Sequence, residues 1–72
     1  MKVIDGIRIS KSMETLLLRT LKENEVFAFN GHEWDDLEYM RCELSWLDEE
    51  ISLYTLTATG RAIAEKLKAR QP

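Results

Sequence analysis

The chain is short of the residues that staple small domains. It has one cysteine, one histidine, one proline and three glycines among 72 residues. A lone Cys42 excludes a disulfide within the monomer. His32 is the only other soft ligand, so no metal site and no cofactor are expected. Apolar runs of about twenty residues, the length of a membrane span, are missing. The opening MKVIDGIRIS is interrupted by Asp5 and Arg8 and holds no apolar core of signal-peptide length. An unpaired thiol without an export signal points to a reducing cytoplasm and away from the membrane. Repeats, low-complexity runs and linkers are also missing, so residues 1–72 are expected to form one domain. A single core of this size rarely supplies more than about 3–5 kcal/mol, so any further stability must come from tight packing or a partner chain.

Catalytic sets are missing too. His32 has no nucleophile at a recognisable spacing. Cys42 lies among carboxylates, surroundings that disfavour a reactive thiolate. The paired carboxylates crowd one solvated stretch with no cleft implied. No glycine-rich loop is present to cradle phosphate. An enzyme is not expected, and no catalytic residue is assigned.

What is present is organised around Asn30 to Ile51. Trp34, Leu37, Met40, Leu44, Leu47 and Ile51 recur at spacings of three and four, which predicts one long amphipathic helix with that stripe buried. Asn30 is the predicted N-cap and Glu33 completes a capping box. Phe29 and Trp34 stand where a hydrophobic staple forms. A second apolar line, Tyr39, Cys42 and Trp46, lies well over 90° from the first at about 100° per residue. Such a line is either sandwiched inside the domain or offered to a partner, a role that suits Tyr and Trp because both keep a polar tip near water. Glu38 and Glu43 flank it. Residues 33–50 carry eight acidic side chains against Arg41 alone, a net of −7, whereas residues 51–72 sum to +3. An acidic middle with a basic tail follows.

The flanking segments read as follows. Residues 3–9 form an edge strand with Asp5-Gly6 as a bulge or turn. Ser10 or Ser12 caps a first helix with Met13, Leu16, Leu17 and Leu21 inward, ending near Asn24. Val26-Phe27-Ala28-Phe29 is β-prone, with both phenylalanines on one inward face. Residues 51–57 form a strand. Thr57 or Thr59 caps a last helix running to about Ala69, with Gln71-Pro72 as a frayed end.

Leu44-Ser-Trp-Leu47-Asp-Glu-Glu-Ile51, followed by Tyr54-Thr-Leu56-Thr57-Ala-Thr-Gly60-Arg61, resembles the closing half of winged helix–turn–helix regulators. The likeness covers roughly residues 40–67, with a weaker echo in 13–22 and 26–29. It implies a mainly α domain with a small β-sheet (α+β), a winged-helix-like three-helix domain. Two departures stand out. Only Ser52-Leu53 separate Ile51 from Tyr54, so the wing is expected to be truncated or absent. The 34–51 stripe also lacks a break between scaffold and recognition helices.

Three functions follow as expectations. The first is a regulatory module that binds another protein or itself, as a homodimer, through Tyr39, Cys42, Trp46, Glu38 and Glu43. The second is the DNA binding that the family implies, through Arg41, Arg61, Lys66, Lys68 and Arg70. The −7 stretch disfavours it, because a phosphate backbone repels acidic surfaces. The third is a small inhibitor that presents its acidic helix to a nucleic-acid-binding protein. A compact acidic chain of this kind would suit a phage or mobile-element product.

Overall fold

The computed structural model describes residues 2–70; Gln71 and Pro72, read above as a frayed end, lie outside them. Seven elements follow one another: β1 (Lys2–Ile4), β2 (Ile7–Ile9), α1 (Lys11–Glu23), α2 (Gly31–Cys42), β3 (Leu47–Glu50), β4 (Leu53–Leu56) and α3 (Ala58–Ala69). The strands make two antiparallel pairs, β1 with β2 and β3 with β4. The architecture is α+β: three helices with two small two-stranded sheets.

Local chemistry sets most boundaries. Ser10 starts α1 by accepting from the Met13 N–H at 3.2 Å. Asn24 ends it at φ 70°, a left-handed conformation that asparagine tolerates. Asn30 starts α2 by accepting from the Glu33 N–H at 2.9 Å. Glu33 reaches back to the Phe29 N–H at 3.0 Å, one residue before the position that a capping box uses. Thr57 starts α3 by accepting from the Gly60 N–H at 3.0 Å.

Residues 2–9 form a full hairpin in place of a lone edge strand. Ile4 pairs with Ile7, and the loop residues Asp5 and Gly6 both have positive φ, as a type I′ turn requires. Its inner face puts Ile4 and Ile9 into the core with Met13, Leu16 and Leu17. Two ion pairs tie the hairpin down. Lys2 bonds the buried Glu14 on α1, which holds that carboxyl below its usual range. Asp5 meets Lys66 of α3 at 2.9 Å.

The predicted rod over 30–51 does not form. The helix stops at Cys42, Ser45 takes φ 56°, and the Trp46 N–H reaches back to the Met40 carbonyl at 2.9 Å. Leu47 then enters β3. The reason is Trp46, which is 1% exposed among the core side chains. A continuing helix would leave it on the side that solvent sees. Burying about 200 Å² of indole gains roughly 5 kcal/mol. Helical propensity differs by only a few tenths of a kcal/mol between ordinary residues, so the turn prevails. The expected single strand over 51–57 is also corrected. Ile51 and Ser52 form the turn of the β3–β4 hairpin, with Glu50 opposite Leu53. A bridge between Val26 and Tyr54, with both backbone hydrogen bonds made, adds one residue pair beside β4.

Gly60 allows α3 to seat against this turn. A Cβ there would stand 1.9 Å from the Trp46 carbonyl oxygen, an impossible distance to backbone. The Thr57 N–H bonds the same carbonyl at 3.0 Å and its hydroxyl donates to the Ser45 carbonyl at 2.7 Å. The Leu-Thr-x-x-Gly spacing is thus a cap plus a close approach. Gly60→Ala is expected to cost about 3 kcal/mol, since packed backbone yields poorly to overpacking. Urea unfolding reads this as a lower midpoint, and an unchanged midpoint would contradict the close approach.

Candidate functional site

A cleft of about 540 Å³ opens between α2 and the tip of the β3–β4 hairpin, with residues 27–28 closing one end. Phe27, Trp34 and Ile51 stand on its walls, and Glu38 and Tyr54 also line it. The floor is a polar clasp. The Tyr54 hydroxyl donates to Glu38 Oε2 at 2.5 Å, and Arg41 donates from Nε at 3.0 Å and from Nη2 at 2.8 Å. These three side chains join the hairpin to α2. The Arg41 hydrogen bond, then the Tyr54 one, pulls the Glu38 carboxyl down to about 2. Burial, then the carboxylate, pushes the Tyr54 hydroxyl up.

The apolar side chains of the walls face water, beside Glu49 and Ser52. Ile51 is 88% exposed, Phe29 69% and Trp34 52%, with Phe27 about half exposed. Phe29 lies outside the cleft, in a neighbouring depression with Arg19, Glu23, Glu25, Val26 and Phe27, and is braced. Its ring lies 4.8 Å from that of Phe27, and the Arg19 guanidinium sits 5.9 Å above it. Arg19 in turn approaches Glu33 at 3.8 Å. The expectation that Phe27 and Phe29 point inward is therefore corrected, as is that of Trp34 and Ile51 as core stripe residues. The core takes Leu37 and Met40 from α2, and Trp34 lies on another flank of the helix.

The far side of the hairpin carries a second depression of about 650 Å³. Glu25, Asp48, Glu49 and Glu50 surround Ile51 and Leu53 there, with no basic side chain in the lining. Glu49 also accepts from the Ser52 N–H at 2.7 Å, which pins the turn.

The sequence-predicted patch comes apart. Trp46 is core. Tyr39 (45% exposed) and Cys42 remain on the surface of α2. Tyr39, five residues from Trp34, lies about 140° away around the helix and outside the cleft. Glu38 is the clasp carboxylate and Glu43 is the exposed C-cap of α2. Of the basic candidates, Arg41 is engaged by Glu38, Lys66 by Asp5, and Arg70 donates to the Val3 carbonyl at 3.2 Å. Arg61 and Lys68 are exposed, and Lys68 shares a groove with Leu18, Leu21 and Lys22 between α1 and α3. Phe27, Trp34 and Ile51 were missed as site residues. For Phe27 the one signal is the aromatic pair before Asn30-Gly31, which does not say which face is outward; for Trp34 and Ile51 the helical period pointed inward. Among the described residues no group of three His, Cys, Asp or Glu is placed to hold a metal, and no helix is long and apolar enough to cross a membrane. No family model, curated protein or solved structure matches the chain.

The clasp has a pH signature. Glu38 titrates lower folded than unfolded, so its contribution is complete above the ordinary carboxyl value of 4.5 and fades as pH falls toward 2. Glu38→Gln is expected to cost about 1.5–3 kcal/mol at pH 7, the range for a hydrogen bond to a charged group. Its penalty should shrink across that acid window when unfolding is followed against pH. A penalty that is constant from pH 6 to pH 2 would contradict the clasp.

Proposed function

We propose that this chain is a small, non-enzymatic regulatory module of winged-helix-like build, at work in the cytoplasm, which acts by binding another protein or a second copy of itself. The contact surface is the cleft between α2 and the β3–β4 hairpin, not the Tyr39/Cys42/Trp46 line that periodicity favours. One observation carries this reading: Phe27, Trp34 and Ile51 all face water around one cleft. A small monomer gains nothing from three exposed large apolar side chains gathered at one place, whereas an interface core is built from such residues.

The winged-helix likeness has support in the bridge of Val26 to Tyr54 and in a hairpin lying between two helices. DNA binding, which that likeness implies, has less. A helix–turn–helix unit needs two helices before the wing, and only α2 lies between Val26 and β3. The hairpin that would meet phosphate bears Asp48, Glu49 and Glu50. What remains for DNA is the Lys22 and Lys68 groove and, apart from it, the exposed Arg61.

Two measurements separate the readings. A duplex probe at low salt is expected to show no change in anisotropy with added protein. Phe27→Ser with Trp34→Ser is expected to leave the melting curve within a few degrees of the parent, since both side chains are about half exposed, yet abolish partner capture or self-association. Duplex binding that Lys68→Glu and Arg61→Glu remove would replace this function with the DNA one.

A further inference from the structure

Ile51 combines two locally unfavourable choices. It has φ 51°, and Ser52 follows at φ 65°, so both residues of the turn are left-handed. Type I′ turns favour Asn-Gly because a Cβ strains that region, and a β-branched side chain there is an outlier. The strain is not offset by burial, since Ile51 is the most exposed large apolar residue described. Asparagine would ease the turn and remove the apolar surface together. A residue that harms the free monomer twice over is explained by what it does when bound.

We propose that Ile51 is the anchor of the cleft and that its occupant is a basic amphipathic segment of another protein. This rests on the protein-binding function proposed above and names the chemistry of the partner. Charge selects the occupant. Ile51 projects between Trp34 and Phe27 on one side and Glu25, Asp48 and Glu50 on the other, with Glu49 lining both. An apolar side chain of the partner meets Ile51 and Trp34 while lysine or arginine side chains beside it meet the carboxylates. A second copy related by a two-fold axis through Ile51 would set the acidic hairpins against each other, a like-charge contact. Nucleic acid and an anionic lipid surface are repelled by the same carboxylates.

The test uses the full chain and three synthetic helical peptides: leucine with lysine, leucine with glutamate, and serine with lysine. Trp34 reports binding, because Trp46 is buried; Trp34→Phe provides the silent control. The leucine–lysine peptide is expected to shift Trp34 emission to the blue and bind at least tenfold tighter than the other two. Ile51→Asn is expected to melt about 5 °C higher than the parent and bind about thirtyfold weaker. Ser52→Gly, which eases the turn but keeps the side chain, should also melt higher and bind as the parent does. An Ile51→Asn protein that melts lower, or binds equally well, overturns the anchor. Equal or tighter binding of the leucine–glutamate peptide overturns the basic partner and leaves the docking cleft standing. A dimer in sedimentation that Ile51→Asn dissolves does the same, making the occupant a second copy. If neither leucine peptide binds, or serine–lysine binds as well as leucine–lysine, the cleft and the anchor both fall.

Discussion

Everything distinctive in this fold depends on the seating of one indole. Trp46 cannot be both buried and helical, because α2 already gives Leu37 and Met40 to the core and its remaining flanks face water or the hairpin. The chain leaves the helix at Cys42, takes a left-handed step at Ser45 and delivers Trp46 inward. The strand that follows must turn back, since Leu47 is buried and the next three residues are charged. The hairpin and the start of α3 are then fixed by contacts to the same short segment, through Thr57 and the missing Cβ of Gly60.

That turn also creates the surface. Folding β3 and β4 back along α2 brings Tyr54 to Glu38, and the Glu38–Arg41 pair completes a clasp that holds the hairpin against the helix. The clasp pairs the polar ends of Glu38 and Tyr54, and Phe27, Trp34 and Ile51 stay open beside Glu49 and Ser52. The carboxylates of β3 alternate around the hairpin, which places an acidic field beside that apolar surface. A straight rod would have spread the same charges along a helix and given them no apolar centre.

Much of this was legible in the sequence, and what was not has a physical cause. The caps Ser10, Asn30 and Thr57 and the left-handed Asn24 were readable because each depends on one side chain and its own turn. The α+β class followed from helical and β-prone runs in alternation and from the winged-helix resemblance. The hairpin was hidden for two reasons. Leu44, Leu47 and Ile51 keep a helical spacing that also suits a strand entering and leaving a core, and the period alone cannot choose. The turn itself is Ile-Ser, with neither the asparagine nor the glycine that marks such turns. The exposed aromatics were misplaced because apolar periodicity predicts which residues share a face, never whether that face is covered. Trp46 was assigned to a docking line for the same reason: its burial is a tertiary fact, decided by α3 and Gly60 far along the chain.

The most direct check is on Trp46 itself. With Trp34 replaced by phenylalanine, Trp46 is the sole indole, and its emission and its quenching by acrylamide report its surroundings. Blue emission that acrylamide scarcely quenches, becoming red and fully quenched only on unfolding, is the expected result. Emission already red and freely quenched in the folded protein would mean that the indole faces water, and would contradict the inward turn at Ser45 and the cleft that depends on it.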